Sequence, residues 1–193
     1  MPADVRERTR DAVRAQLAEL AFTFFLSNGF DESTVDEAAK AAGISRATYF
    51  RYFGSKEDAV LVALEASDVD YGSTLRDRPI AARQSAWSYL REAFEATVVA
   101  VENDPGRIRA KATMIGSIPS LRAHLSERRR AREDRLVATV RDRFDDELTA
   151  KIVVAASFAA FDVAWREWIG QPDAPFRTIL DAAFSRLDSL GHR

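Results

Sequence analysis

Residues 34–53 read TVDEAAKAAGISRATYFRYF, and their order writes two short helices hinged at a glycine. Thr34 has the residue type of an N-cap, and Glu37 stands three positions on. That is the capping-box spacing, in which each residue satisfies a backbone N–H left unpaired at a helix start. Gly43 supplies the permissive backbone a chain needs just past a helix end, and Ser45 is suited to cap the second helix. The second helix carries Arg46, Thr48, Arg51 and Tyr52, with Lys56 just beyond, and no acid lies between Gly43 and Lys56. A short helix, a glycine turn and a second basic and polar helix form a helix-turn-helix pattern, whose second helix enters the major groove of duplex DNA. Capped helix pairs also serve as plain scaffolding, so the flanking sequence has to decide.

The flanks supply a scaffold. Upstream, residues 6–28 form an amphipathic helix that ends at Gly29, with Val13, Leu17, Leu20, Phe24 and Phe25 at the three-four spacing of one buried face. Downstream, Ser55, Lys56, Glu57 and Asp58 open another helix through Val60, Leu61 and Leu64. Such helices hold the second helix of the pair at a fixed angle to a groove.

Four motifs then coincide: FLSNGF at 25–30, TVDEAA at 34–39, AGISRAT at 42–48 and RYFGSKE at 51–57. Residues 6–64 thereby resemble the N-terminal domain of the tetracycline-repressor (TetR) family of one-component transcriptional regulators. The resemblance covers about a third of the chain. It implies an all-α protein of about nine helices, with a DNA-binding domain at 1–56 and a helical ligand-binding and dimerisation domain at 57–193. It also implies a homodimer whose last two helices pair across a two-fold axis, a palindromic operator, repression, and release by a small-molecule effector. One departure stands out. The family usually places tyrosine where this chain has Phe50, beside a leucine-like residue where it has Tyr49, so Tyr49 or Tyr52 is expected to supply the phenol for a phosphate contact.

Roles follow from side-chain chemistry. Arg46 has the reach and the fork for guanine O6 and N7. Ser45, Ala47 and Thr48 on the first turn suit base edges or a thymine methyl. Tyr49, Arg51, Tyr52 and Lys56 are expected at phosphates, setting register rather than preference. Thr34 is expected both to cap its helix and to meet a phosphate. Val35, Ala38, Ala39, Ile44 and Phe53 are expected in the core.

Composition agrees with a regulator. The chain has 193 residues, 47% of them hydrophobic and 30% charged, with a net charge of −2, enough to bury a substantial core. Residues 1–56 carry eight Lys or Arg and eight Asp or Glu. Focused contacts are therefore expected rather than a broad cationic footprint, with a modest salt dependence. Cysteine is absent, which excludes disulfides and thiolate metal sites and fits a reducing cytoplasm. The charged N-terminal residues do not read as a signal peptide.

Beyond residue 70 the sequence is helical and less diagnostic. Residues 70–79 read as a loop, and a helix follows with Trp87, Leu90, Phe94, Val98 and Val101 on one face. Asp104 and Pro105 suit the cap and first turn of the next. Residues 127–135, ERRRAREDR, interleave both charges as a solvated helix face does. Residues 114–130, MIGSIPSLRAHLSERRR, resemble the acyl-coenzyme A-sensing branch of the family, which implies an apolar tunnel with arginines at its mouth. Expected pocket residues are Trp87, Phe94, Met114, Ile118 and Phe158, positions that plain core packing would also fill.

Residues 152–169 are apolar at fourteen of eighteen positions. Asp162, Arg166 and Glu167 argue against a membrane span and for a helix buried in its own domain and in a partner. Trp165, Trp168, Phe184 and Leu187 are the expected dimer contacts. An enzyme is disfavoured: His124 and His192 form no metal-binding pair, no phosphate loop appears, and neither a metal nor a cofactor is expected. A helical protein-interaction adaptor would share the C-terminal half but has no use for an acid-free basic helix.

Overall fold

The computed structural model describes residues 2–66, 68–81 and 83–190, with side chains from residue 5 onward; His192 lies outside the described residues. Among the described residues all regular structure is helical. The elements are α1 (Pro2–Asn28), α2 (Val35–Ala41), α3 (Arg46–Tyr52), α4 (Lys56–Ala66), α5 (Ala86–Arg91), α6 (Glu95–Asn103), α7 (Pro105–Ser117), α8 (Pro119–Val140), α9 (Glu147–Gly170) and α10 (Phe176–Leu190). A 3₁₀ turn, Glu92–Phe94, joins α5 to α6 as one rod, and a second, Arg141–Arg143, finishes α8.

Helix ends follow the local chemistry. Gly29 takes φ +86° and donates its N–H to the Phe25 carbonyl at 3.0 Å, which closes α1 in a conformation that penalises any Cβ. Asp104 caps α7, its carboxylate accepting from the Arg107 N–H at 3.0 Å, and Pro105 follows where a missing N–H costs nothing. α9 begins at Glu147, five residues before the apolar run. Asp146 is its N-cap and accepts from the Thr149 N–H at 2.8 Å, a signal hidden inside the acidic stretch 145–147.

The chain forms two compact units. The first holds residues up to Asp68 together with Ala110–His124; the second holds Val69–Arg109 and residues from Leu125 on. α4 packs along α1 within the first unit. Ala18, Ala21, Phe22 and Phe25 form the buried face of α1 in the first unit, and Ala59, Val60 and Ala63 are buried on α4. The expected stripe is displaced: Val13 is 38% and Leu20 43% exposed, and Leu17 and Phe24 are half-buried. Alanines carry little weight in a hydrophobic pattern, yet their small side chains let two helices approach closely.

The second unit is built on an aromatic core. Tyr71, Phe94 and Phe158 meet pairwise with ring centroids 5.1–5.3 Å apart, and Phe161 stacks on Phe94 at 4.9 Å. α9 is long and apolar enough to cross a membrane, but it packs against α10 and α5 and buries Val154, Phe158, Ala164 and Trp168 in this core. Arg109 finishes it: its guanidinium lies 4.2 Å from the Trp168 ring centroid and donates to the Trp168 and Gln171 carbonyls at 3.0 and 3.1 Å. A cation there satisfies orphan carbonyls and opposes the negative helix end. The arginines of 127–135 are not all solvated as expected. Arg129 pairs with Glu133 at 2.7 Å and with Asp162 of α9, and Arg132 lies 5.9 Å from the Tyr71 ring. Long stems cover apolar surface while their heads find partners.

Candidate nucleic-acid interface

The capping box at the start of α2 is formed in full. The Thr34 N–H donates to Glu37 Oε2 at 2.8 Å, and the Glu37 N–H donates back to the Thr34 hydroxyl at 3.3 Å. That hydroxyl itself donates to Oε2 at 2.7 Å. The Thr34 backbone N–H first, and its hydroxyl second, hold the Glu37 carboxyl below its ordinary range. At the other end of α2, Gly43 takes φ +73°, its N–H donating to the Lys40 carbonyl and the Ile44 N–H to the Ala39 carbonyl. These are the paired bonds of a Schellman turn. Ser45 then caps α3, its hydroxyl oxygen accepting from the Thr48 N–H at 3.2 Å. α2 is thus fixed at both ends, and α3 at its start, by the residues that suggested them.

α3 presents one exposed face. Arg46, Ala47, Phe50 and Arg51 are all exposed, and positions i, i+1, i+4 and i+5 share one side of a helix. Ser45 and Thr34 are exposed as well, while Thr48 and Tyr52 are half-buried. Arg51 lies 5.5 Å from the Tyr52 ring centroid.

Two of the expected contacts are corrected. Tyr49 is completely buried and packs edge-on against Phe53 at 5.0 Å. Burial first, and the charges of Asp58 and Glu57 second, push its phenol far above the ordinary range. A side chain so enclosed anchors α3 from behind and cannot reach a phosphate. Lys56 is half-buried, its ammonium 4.6 Å from the Phe30 ring and donating to the Phe30 and Ser33 carbonyls at 2.7 and 2.9 Å. With two of three donors engaged, it fastens the start of α4 to the loop before α2.

Two residues with no expected contact, Phe50 and Asp36, join the face. Phe50 is 45% exposed despite its apolar ring. Asp36, on α2, accepts from Arg46 Nη1 at 3.0 Å (Oδ1) and 2.9 Å (Oδ2). The stretch after Gly43 is acid-free in sequence but not in space. Ten positions separate the pair, so spacing alone could not reveal it; the turn folds the first turn of α2 beside that of α3.

This geometry agrees with the comparisons to known proteins. Residues 17–62 match the model of bacterial regulatory proteins of the tetR family, and residues 84–190 match the MftR C-terminal domain, itself a TetR C-terminal type. The chain belongs to the TetR family of transcriptional regulators. It is 29% identical over 196 residues to the HTH-type transcriptional regulator TcmR of Streptomyces glaucescens, covering 96% of this chain and 86% of that protein. Over 57 residues it is 40% identical to the putative mycofactocin biosynthesis regulator MftR of Mycobacterium tuberculosis, 29% of each chain. Two solved structures share the fold. Thermus thermophilus FadR, in complex with lauroyl-CoA, superposes with TM-score 0.56 at 19% identity over 89% of this chain and 91% of that one. A putative regulator from Pseudomonas aeruginosa PAO1 gives 0.62 at 21% identity over 92% and 89%. Each of the four is described as a transcriptional regulator or repressor, MftR and the Pseudomonas protein as putative ones.

In this TetR-family chain the C-terminal expectations are redistributed. Phe94 and Phe158 are close-packed against each other in the second unit, where Trp87 is half-buried beside them. Met114 and Ile118 belong to the first unit, so the five residues do not line one pocket within either unit. Trp168 and Phe184 are buried in the core of the second unit, and Trp165 and Leu187 pack against it. None of the four is a fully outward contact. The exposed apolar stripe of α9 is instead Leu148, Ile152, Ala155, Ala159 and Val163, spaced four, three, four and four.

Proposed function

We propose that this TetR-family regulator is a homodimeric, cytoplasmic repressor that sets two copies of its α3 face into successive major grooves of a palindromic operator. The face itself carries this reading: two guanidinium groups, a small residue and a ring stand outward on a helix fixed at both ends and anchored from behind by Tyr49. Arg46 and Ala47 would meet base edges. Thr34, Ser45, Arg51 and Tyr52 would meet phosphates and Thr48 would support the first turn, which fixes register. The α9 stripe supports pairing of two protomers, since such a row seeks cover, and two-fold dimers place half-sites about 34 Å apart.

The effector in this reading is apolar or amphipathic, with a coenzyme A thioester the first to test. Support comes from the resemblance of residues 114–130 to the acyl-coenzyme A-sensing branch and from the lauroyl-CoA bound by FadR, which shares the fold. Swinging a two-state regulator from 1:99 to 99:1 takes ~5.5 kcal/mol of differential affinity. At ~0.8 kcal/mol per methylene, burying about seven of them in one state only is sufficient. Selection of bound fragments from random duplexes, with sedimentation of the complex, tests the proposal. A palindrome bound by a dimer and released by lauroyl-CoA, but not by laurate or coenzyme A alone, is expected. A monomer indifferent to every duplex at low salt overturns it.

A further inference from the structure

We propose that Arg46, Phe50 and Asp36 form a composite reader of a guanine beside a thymine, in which Asp36 is a positioning residue for Arg46. The inference rests on the DNA-binding reading above and deepens it. Nη1 of Arg46 is held against both Asp36 oxygens at 2.9 and 3.0 Å, and the guanidinium carbon lies 5.4 Å from the Phe50 ring centroid. Five N–H donors sit on a guanidinium in a rigid plane. With Nη1 turned to Asp36, the opposite edge offers Nε–H and Nη2–H as two parallel donors, the pattern that matches guanine N7 and O6.

The pair has no evident use as a staple. Its side chains are 64% and 59% exposed, and ion pairs that open to water contribute little to stability. What it does supply is orientation. A free arginine visits many rotamers and meets phosphates as readily as bases, whereas one tethered on one edge and resting on a ring is already aimed. Asp36 also places a negative charge beside the groove, which discourages indiscriminate attraction to the backbone. Phe50 is the second half of the reader. An exposed ring next to the tethered guanidinium has no hydrogen bond to give, and the apolar feature in a major groove is the thymine C5-methyl.

Base analogues test each atom. The probe is the best duplex recovered from random selection, remade with each guanine in turn replaced by 7-deazaguanine and each thymine by uracil. For the wild-type chain, one guanine per half-site is expected to lose roughly 5- to 150-fold in affinity on losing N7, the range of a bidentate arginine contact. A neighbouring thymine is expected to lose severalfold on losing its methyl. Arg46→Ala should be indifferent to the first change and Phe50→Ala to the second. Asp36→Ala should still bind, with tighter non-specific binding and a deazaguanine penalty at least threefold smaller than wild type. If Asp36→Ala lowers the melting temperature, Asp36→Asn replaces it with the same expectation.

An Asp36→Ala penalty profile superimposable on wild type overturns the positioning role while leaving DNA binding standing. A wild-type chain that binds no duplex defeats both.

Discussion

Arg14 and Tyr52 lie 38 positions apart, yet the Nε–H of Arg14 donates to the Tyr52 carbonyl at 3.1 Å. The bond ties the middle of α1 to the last residue of the recognition helix. The same guanidinium approaches Asp58 at 3.5 Å and lies 6.0 Å from the Phe53 ring centroid. It therefore acts as a C-terminal cap supplied from a distance, favourable both as a hydrogen bond and against the helix dipole. Arg14→Ala is expected to cost ~1 kcal/mol, lowering the melting temperature by about 2–4 °C. Operator affinity should fall severalfold as α3 loosens, with base preference unchanged. A calorimetric melt and repeated fragment selection check both halves.

Tyr49 separates two pictures of α3. If its phenol met a phosphate, Tyr49→Phe would weaken binding with the salt slope unchanged, because a neutral hydroxyl displaces no counterion. Its hydroxyl instead reaches only the Ser55 carbonyl, at a long 3.5 Å, inside the core. Tyr49→Phe is expected to leave affinity, salt slope and stability nearly unchanged. Tyr49→Ala removes a fully buried ring and should cost ~3–5 kcal/mol. Titrations of binding, alongside denaturant melts, distinguish the two.

The helix-turn-helix was legible because its signals are local. Thr34, Glu37, Gly43 and Ser45 each act on backbone groups within a few residues, so spacing alone identifies them. Tyr49 was misplaced because one turn of helix separates an outward from an inward side chain, and a seven-residue helix is too short for a hydrophobic period to fix its phase. Asp36 and Arg14 act on partners brought near only by tertiary folding. At the C-terminal end, the aromatic weight of 152–169 revealed a buried helix correctly. The outward stripe of that helix consists of Ala155, Ala159 and aliphatic residues that no pattern rule ranks above tryptophan.

Acid should loosen the second unit along α10. Arg177 donates to Glu95 at 2.7 Å and to Glu102 at 2.7 Å, and Arg91 joins Glu95 at 3.0 Å and Asp181 at 2.6 Å. The Arg177 hydrogen bond above all holds the Glu95 carboxyl below its ordinary value of 4.5; burial opposes the shift and Arg91 adds to it. Glu102 is lowered by the same arginine. A carboxyl whose folded value lies below its unfolded one contributes stability above the unfolded value and loses it as pH falls toward the folded one. Arg177 is raised from an already high value and stays charged throughout. The melting temperature should therefore hold near neutral pH and decline below about pH 4.5. Arg177→Gln should melt lower at pH 7 and show a shallower decline on acidification. Parallel acid limbs for the two chains would remove this network from the account of α10.

The α9 stripe gives the sharpest separation between assembly and folding. Ile152 is 58% and Val163 49% exposed, so a charge at either position meets water in an isolated protomer and costs little there. Buried across a two-fold axis, the same charge would face its own copy and lack a partner. Ile152→Glu with Val163→Glu is expected to give a folded monomer whose operator affinity falls steeply, because two half-sites then bind independently. Trp168→Ala should behave in the opposite way: the ring is fully buried and carries Arg109 on its face, so the protomer itself should lose ~3–5 kcal/mol. Sedimentation equilibrium and helical circular dichroism, measured together, read the two effects apart. A double variant that remains dimeric would move the seam off α9 and onto another face.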